Sequence, residues 1–406
     1  MTATDHDHLL DLADTHLDAV IAAMAGPDAR PRDAQRRAVR ALVADRARVL
    51  VVQATGWGKS AVYWAATAAL RAAGQGPTIV VSPLLALMRD QIDAATRAGL
   101  RAATVNSGNV DGWDDILAAL AAGHVDVLLI SPERLANPGF AARTSSLLAA
   151  AGLVVIDEAH CISDWGFDFR PDYQRISRLL TATDGVPVLA TTATANRRVT
   201  DDVADQLGAH TVVLRGPLAR RSLRLAVIDG LGPLERYAWA DRALHTLAGS
   251  GIVYVATVAE TERLSAYLRH RGHDVVPYSG QLDPSRRAAT EDDLRANRVK
   301  AVVATSALGM GYDKPDLAFC LHLGSPDSPV AYYQQIGRAG RALDDAAVVL
   351  LPAETDERLW EYFATASIPR PDEVAATLAA LEQAESPLSV PAIESATGLR
   401  RGRIEQ

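Results

Sequence analysis

Short, continuous apolar runs alternate with alanine-rich helical stretches along most of the chain. None of these runs alternates polar with apolar residues, which is the pattern of parallel strands buried on both faces. In the first half, the runs cover residues 49–52, 78–81, 125–130, 153–156 and 186–190. Helical stretches over 61–73, 85–98 and 113–122 separate them. The order predicts a doubly wound parallel α/β sheet over residues 33–215.

A second series of the same kind follows. Its predicted strands cover residues 225–228, 252–255, 275–277, 301–304, 318–322 and 348–351. Helices over 260–271 and 284–296 lie between them. We therefore expect a second α/β domain over 216–352, in tandem with the first, and a cleft where the carboxyl ends of the two sets of strands face each other.

The two flanks differ from these domains. Residues 1–32 read as an acidic helix over 7–25 and a linker. Residues 353–406 read as a helix near 372–383 followed by SPLSVPAIESATGLRRGRIEQ, an order typical of a helix-turn-helix. We expect this segment to be the start of a winged helix. Because its second helix would begin near Leu399, we also expect the native chain to continue beyond Gln406.

Composition is that of a soluble globular protein, with 49% hydrophobic and 22% charged residues among 406. No apolar run approaches the roughly 18 residues that a membrane span needs, and the acidic N-terminus is unlike a signal or transit peptide. Two distant cysteines, Cys161 and Cys320, exclude a disulfide framework and a cysteine-rich zinc site. We expect a cytoplasmic protein without a membrane partner.

The net charge of −8 weighs mildly against nucleic-acid binding. Its distribution weakens that argument. Residues 1–30 hold six aspartates and one arginine, so the rest of the chain carries only −3. Composition alone does not decide whether the chain binds nucleic acid, so that inference depends on the motifs.

The segment QATGWGKS, residues 53–60, follows a predicted strand and opens a predicted helix. Strand, glycine-rich loop and helix are the context of a phosphate-binding loop, in which backbone N–H groups and the helix N-terminus face phosphate oxygens. Lys59 would reach the β- and γ-phosphates, and Ser60 would ligate Mg²⁺. The predicted nucleotide contacts in this loop are Thr55, Gly56, Trp57, Gly58, Lys59 and Ser60.

The segment DEAH, residues 157–160, follows the strand predicted over 153–156. Asp157 would hold Mg²⁺ through water, and Glu158 would polarise the water that attacks the γ-phosphate. Acidic residues at a strand end are often plain helix caps. Together with the phosphate loop, they predict nucleoside-triphosphate hydrolysis.

The segment QQIGRAGR, residues 334–341, lies in the second domain. Its two arginines, three apart, could be a solvated helix start. In a tandem α/β protein we interpret Arg338 and Arg341 as arginine fingers that reach the transferring phosphate when the domains close. Gln334 would assist Glu158 in promoting hydrolysis.

Four of the 21 aromatic residues fall within nine positions, 165–173, shortly after the DEAH segment. A small satellite core is one reading of such a cluster. The other is a loop of stacking platforms for nucleobases, in which Arg170 contacts the backbone or a ring. The ring-bearing candidates are Trp165, Phe167 and Phe169.

Taken together, residues 30–352 resemble the RecQ-type DNA helicases of superfamily 2, whose two domains are RecA-like. Beyond the motifs above, the resemblance rests on VSPLLALMRDQ (81–91), SPERL (131–135), ATTATA (190–195) and ATSALGMGYDKPD (304–316). The resemblance implies that Arg32 and Gln35 recognise adenine, and it adds Asp313 to the ATP contacts. The fusion of DEAH to the aromatic loop is its most specific feature.

The resemblance implies an Mg²⁺-dependent, ssDNA-stimulated ATPase that moves 3′ to 5′ and unwinds 3′-tailed duplex DNA. It also implies a monomer near the bacterial nucleoid. The implied DNA contacts are Ser82, Arg89, Asn106, Ser107, Arg134, Trp165, Phe167, Phe169, Arg170, Thr257, Thr305 and Ser306.

Three departures from the family pattern stand out. Trp57 replaces a glycine, so we expect its ring over the nucleotide or the cleft. Phe167 replaces a common histidine, and Ser279 stands near a Tyr-His-Ala-Gly element that reads Tyr278-Ser279-Gly280. The four-cysteine zinc module has no counterpart after Cys320, so we expect no zinc.

Two other functions remain open at this point. One is an RNA helicase or remodelling ATPase, because the two-domain motor is widely shared. The other is an ATP-gated DNA-binding adaptor that does not translocate.

Overall fold

The computed structural model describes residues 3–82, 85–106, 109, 112–135, 147–163, 185–309, 312, 314–366, 370–384 and 386–404. Their strands form two separate sheets, one of seven and one of six strands, and every pairing is parallel. Because parallel strands need a crossover, helices cover both faces of each sheet. The prediction of tandem doubly wound α/β domains is confirmed.

The first sheet has the order β3-β4-β2-β5-β6-β1-β7. Its strands are β1 (Arg48–Val52), β2 (Thr78–Val81), β3 (Ala102–Val105), β4 (Val127–Ile130), β5 (Leu153–Ile156), β6 (Val188–Thr192) and β7 (Val212–Arg215). The strands inside the sheet are almost completely buried, as their unbroken apolar sequences require. The carboxyl ends of the central strands β5, β6 and β1 therefore lie side by side.

Helices pack on both faces of this sheet. They are α1 (Ala3–Ala25), α2 (Asp33–Val43), α3 (Lys59–Ala72), α4 (Leu85–Arg97), α5 (Trp113–Ala121), α6 (Pro132–Leu135) and α7 (Arg197–Leu207), with a 3₁₀ turn at Ala159–Ile162. One apolar cluster joins α1, α2 and α3 to the sheet, and a second joins α5 and α7 to its other face.

The N-terminal helix α1 is an integral part of the first domain. Leu17 is completely buried in the cluster formed with α2 and α3. Arg36 of α2 forms ion pairs with Asp14 and Asp18, each at 2.9 Å, and Arg40 also binds Asp14. The hydrogen bond from Arg40, added to that from Arg36, outweighs burial and lowers the pKa of Asp14.

The second sheet has the order β10-β11-β9-β12-β13-β8. Its strands are β8 (Leu223–Val227), β9 (Gly251–Val255), β10 (Val275–Tyr278), β11 (Ala301–Ala304), β12 (Phe319–Leu323) and β13 (Ala346–Leu351). Its helices are α8 (Pro233–Thr246), α9 (Val258–His270), α10 (Pro284–Arg295) and α11 (Pro329–Ile336). Pro277 lies in β10, an edge strand, where its missing N–H is tolerated.

Four helices follow the second sheet: α12 (Asp356–Ala366), α13 (Pro371–Glu382), α14 (Val390–Thr397) and α15 (Arg401–Ile404). Gly398, with a φ of +71°, ends α14 and turns the chain into α15. The predicted helix-turn-helix start is therefore present, with its second helix beginning at Arg401 rather than Leu399.

Two strands were missed by the sequence analysis, β3 and β7. Both are edge strands, and neither has the continuous burial of the central strands. Only one of the four residues of each is buried.

The described helices include none that combines the length and apolar character of a membrane span.

Leu17→Ala should lower the free energy of unfolding of the first domain by about 2–5 kcal/mol, because it leaves a cavity under α1. Urea denaturation followed by circular dichroism measures this change. The control is Leu234→Ala, whose side chain is 83% exposed and should change stability by less than about 0.5 kcal/mol. Equal midpoints for the two variants would show that α1 does not contribute to the core.

Candidate active site

The phosphate-type loop lies between β1 and α3. Gly56 and Gly58 have φ angles of +76° and +91°, which side chains rarely adopt, and Gly58 precedes the first residue of α3. Lys59 donates from Nζ to the carbonyl oxygens of Gln53 and Ala54 at 2.9 and 3.1 Å. Burial lowers the pKa of Lys59. The loop thus holds one ammonium group beside a glycine-rich turn at a helix N-terminus.

Asp157 lies directly after β5 and is held by neighbouring strands and helices. Thr191 Oγ1, at the end of β6, donates to Asp157 Oδ1 at 2.7 Å, and Gln91 Nε2 of α4 donates to Oδ2 at 3.0 Å. Burial and the charge of Glu158 raise the pKa of Asp157. The carboxylate therefore has a fixed orientation and gains from a nearby cation.

Glu158 has an unusual backbone conformation, with a φ of +49°. Its Oε2 lies 3.4 Å from His160 Nδ1, which is too long for a good hydrogen bond, and has no hydrogen-bond partner among the described residues. Burial opposes its ionisation, but His160, Lys59 and Arg338 lower the pKa of Glu158 overall. A charged carboxylate with an unsatisfied oxygen fits the task of orienting a water molecule.

His160 connects this carboxylate to the next strand. Its Nδ1 lies 3.0 Å from Thr192 Oγ1 at the end of β6, and Thr194 N donates to the same hydroxyl at 3.2 Å. Burial opposes the charged imidazole, but contacts with Cys161 and Glu158 raise the pKa of His160 to about 10. The DEAH segment and the 190–195 segment are therefore parts of one network.

The residues expected to hold Mg²⁺ fit that ion by chemistry. Ser60 offers a hydroxyl at the start of α3, and Asp157 offers a fixed carboxylate. Gln91 Nε2, which binds Asp157, also lies 3.4 Å from the hydroxyl of Tyr63 in α3. Hard oxygen ligands of this kind suit Mg²⁺, which keeps most of its waters.

The 334–341 segment of the second domain lies directly against the phosphate-type loop. Thr55 Oγ1 donates to the carbonyl oxygen of Gly337 at 3.0 Å. The Arg341 side chain runs alongside Gly56, where an added Cβ would stand 3.6 Å from Arg341 Cδ. The charge of Arg341 also contributes to the lowered pKa of Lys59. Both domains therefore contribute to one site.

Arg338 is deeper and almost completely buried. Its Nη1 donates to the carbonyl oxygen of Tyr312 at 2.8 Å, and its charge helps to lower the pKa of Glu158. Arg338 Nε and Gln334 Nε2 are buried without a hydrogen-bond partner in the described part of the chain. These donors and Glu158 Oε2 are the groups that a bound triphosphate and its water would satisfy.

Arg220, in the segment between the two sheets, was missed by the sequence analysis. Its guanidinium donates to the carbonyl oxygens of Gly337 at 2.6 Å and Gly340 at 2.8 Å. Ser222 Oγ donates to Gly340 O as well, at 2.8 Å. Arg220 thus fixes the loop that carries Arg338 and Arg341, and the adjacent arginines at 220 and 221 were the available signal.

Gln35, predicted to read adenine, bridges two backbone groups here. Its Oε1 accepts from Arg32 N at 2.8 Å, and its Nε2 donates to Gly58 O at 3.1 Å. It therefore ties the start of α2 to the phosphate-type loop. Adenine recognition by Arg32 and Gln35 stays a prediction.

The Trp57 ring is partly buried and packs against the apolar cluster of α1, α2 and α3. This contact removes part of the ring from water. Its position over the nucleotide or the cleft stays a prediction.

The predicted DNA contacts of the first domain have different surroundings. Ser82 is completely buried, so the hydroxyl is not at a surface that DNA could reach in this conformation. Asn106 donates from its backbone N to Asn109 Oδ1 at 2.9 Å and accepts from Trp113 Nε1 at 3.1 Å. The Arg134 guanidinium lies 5.5 Å from the Trp113 ring centre. Arg134 and Asn106 thus share Trp113 as a neighbour.

The predicted contacts of the second domain lie after β9 and β11. Thr257 Oγ1 caps α9 by accepting from Glu260 N at 3.2 Å, and Thr305 Oγ1 accepts from Ala307 N at 3.3 Å. Ser306 is exposed and lines a cavity of about 840 Å³ at the carboxyl ends of β9 and β12, together with Tyr254 and His322.

Several predicted site residues lie outside the described positions. They are Ser107, Trp165, Phe167, Phe169, Arg170 and Asp313, together with the side chain of Arg89.

Arg220→Ala should lower the kcat of ATP hydrolysis by about 10- to 100-fold with a smaller change in KM, because the arginine-bearing loop loses its support while Lys59 and the glycines remain. Steady-state ATPase assays measure both constants. The matched control is Arg221→Ala, an exposed neighbour that should behave as wild type. A normal kcat in Arg220→Ala would mean that the loop holds its position without this contact.

Comparison with known proteins agrees with this geometry. Residues 32–203 match the model of the DEAD/DEAH box helicase family, and residues 236–343 match that of the helicase conserved C-terminal domain. The chain is 36% identical to ATP-dependent DNA helicase RecQ of Bacillus subtilis over 318 residues, covering 76% of this chain and 52% of that protein. It is 34% identical to RecQ of Pasteurella multocida over 307 residues, covering 75% of this chain and 46% of that protein.

The fold is also similar to that of the Mycobacterium smegmatis helicase Lhr bound to ssDNA and AMP-PNP. The TM-score is 0.63 at 21% identity, covering 95% of this chain and 55% of that one. The chain thus spans about half the length of the RecQ proteins that it matches. With both helicase models matched and the phosphate loop, DEAH carboxylates and arginine-bearing loop at one site, the chain belongs to the RecQ-type DNA helicases of superfamily 2.

Proposed function

We propose that this chain is an ATP-dependent, ssDNA-stimulated DNA helicase that moves 3′ to 5′ and unwinds 3′-tailed duplex DNA as a monomer. The observation that carries the proposal is the seam between the domains, where Thr55 binds Gly337 O and Arg341 lies along Gly56. A nucleotide in this seam touches both domains, so its hydrolysis changes how they hold each other.

Lys59 and the N-terminus of α3 bind the phosphates in this mechanism. Glu158 is charged, and its Oε2 has no hydrogen-bond partner among the described residues, so it holds the attacking water. Gln334 donates a hydrogen bond to this water. Arg338 and Arg341 stabilise the charge that develops on the transferred phosphate. Ser60 and Asp157 would hold Mg²⁺, which would supply neutralisation of the phosphate charge.

The positions of the nucleotide groups and of the predicted DNA contacts link domain closure to movement along DNA. The predicted DNA contacts Asn106, Arg134, Thr257 and Ser306 follow the carboxyl ends of strands in the two sheets. The arginine-bearing loop precedes β13 and meets the phosphate-type loop that follows β1. Hydrolysis releases the arginines from the phosphate and lets the domains separate, so the two DNA grips move relative to each other. Alternating grip strength turns this motion into steps.

The proposal is tested by strand displacement on duplexes with a 3′ or a 5′ single-stranded tail, and by ATPase assays with ssDNA or RNA. We expect ATP-dependent unwinding of the 3′-tailed duplex and stimulation by ssDNA but little by RNA. Lys59→Ala is the matched control and should abolish both activities without unfolding the protein. Preference for RNA would indicate a remodelling ATPase, and ATP-gated binding without displacement would indicate an adaptor.

Arg341→Ala should lower the kcat of ATP hydrolysis by at least about 100-fold and leave ATP affinity within a few-fold of wild type, since the finger acts on the transition state. Binding of a fluorescent ATP analogue measures affinity separately from turnover. A variant that loses affinity and keeps kcat would assign Arg341 to ground-state binding instead.

A further inference from the structure

Asp241, His245 and His273 form a cluster in the second domain, away from the nucleotide site. Asp241 and His245 are four residues apart on α8 and share one helix face, and His273 lies just before β10. Their ligand atoms all lie within 4.8 Å of one another, the only such group of three among the positions described. Two imidazoles and a carboxylate are a ligand set for zinc-type ions.

The two imidazoles converge on a single oxygen. Asp241 Oδ1 lies 2.8 Å from His273 Nε2 and 3.5 Å from His245 Nε2, and the ring centres are 4.3 Å apart. Tetrahedral zinc with bonds of about 2.0–2.2 Å holds its ligand atoms about 3.4 Å apart. All three ligand atoms lie within 4.8 Å of one another, so shifts of about an ångström would place them around one ion.

The surroundings of the cluster favour a carboxylate that binds an ion over a carboxylate that is only hydrated. Arg271 Nε donates to Asp241 Oδ2 at 2.9 Å, which leaves Oδ1 to face the imidazoles and fixes the carboxylate plane. Asp241 and His273 are nearly buried, at 5% and 8% exposure, whereas the His245 side chain is 60% exposed. The site has two rigid ligands and one that opens to solvent, which provides the entry path.

We propose that Asp241, His245 and His273 form a binding site for one divalent transition-metal ion of the zinc type, with water in the fourth position. The site joins the end of α8 to the chain entering β10. Because His273 precedes β10, the site lies beside one edge strand of the second sheet, whereas the arginine-bearing loop precedes β13, near the opposite edge strand β8. The ion therefore stabilises the second domain and takes no part in ATP hydrolysis.

The test is titration of metal-stripped, tag-free full chain with Zn²⁺ by calorimetry, and with Co²⁺ by visible absorption. We expect one ion per chain, a tetrahedral Co²⁺ spectrum and a rise in Tm of several degrees. ATP turnover, measured with Mg²⁺ present throughout, should be the same with and without Zn²⁺.

His245→Ala removes the exposed ligand and should weaken Zn²⁺ binding at least about 100-fold. Even the loss of a residue that only hydrogen-bonds to a metal ligand weakens metal binding about 10- to 100-fold. The matched control is His270→Ala, an exposed histidine at the end of α9 that is outside the cluster and should bind as wild type. Unchanged affinity in His245→Ala, or no stoichiometric binding by wild type, would show that the cluster is an ion-pair network only.

Discussion

The carbonyl oxygen of Gly337 is the point on which the joined site depends. It accepts from Thr55 of the first domain, from Arg220 of the connecting segment and from Arg341 of its own loop, at 3.0, 2.6 and 3.3 Å. Two of the three donors are charged, which makes these hydrogen bonds stronger than neutral ones. One backbone oxygen thus links the phosphate loop, the connection between domains and the arginine-bearing loop.

Glycine is required at this position by space rather than by backbone conformation. Its φ of −62° is ordinary, but an added Cβ would lie 2.6 Å from Thr55 Oγ1. Any side chain would push the two domains apart at the seam. The glycine of the arginine-bearing segment is therefore part of the domain contact, in the same way that Gly56 admits the Arg341 side chain.

Unsatisfied polar atoms at the seam give the site its function at the expense of stability. Glu158 Oε2, Gln334 Nε2 and Arg338 Nε are buried without partners in the described regions, and such a group costs about 1–3 kcal/mol. Substrate phosphate and water can satisfy all three only when both domains are in place. The free energy of satisfying them is then available to hold the closed arrangement, which connects nucleotide occupancy to domain position.

The sequence analysis predicted those parts of the site that depend on residues close together along the chain. The loop at 53–60 and the carboxylates at 157–158 were recognisable because each directly follows a buried strand. Arg220, Gln91 and the cluster of Asp241, His245 and His273 were not, because their partners lie tens of residues away and meet only through the sheet order. The contact of Trp57 with the cluster of α1, α2 and α3 was missed for the same reason, since α1 is distant in sequence.

The acidic N-terminus shows why net charge is a poor guide to DNA binding in this chain. Asp14 and Asp18 of α1 form ion pairs with Arg36 and Arg40 of α2, so the charges of the two helices largely cancel where they meet. Neither set is then available to repel or attract a distant phosphate, because screening limits exposed charges to about 10 Å at 0.1 M salt. In the proposed function, attraction to DNA would depend instead on individual cations near the strand ends, such as Arg134, and a total of −8 carries no information about them.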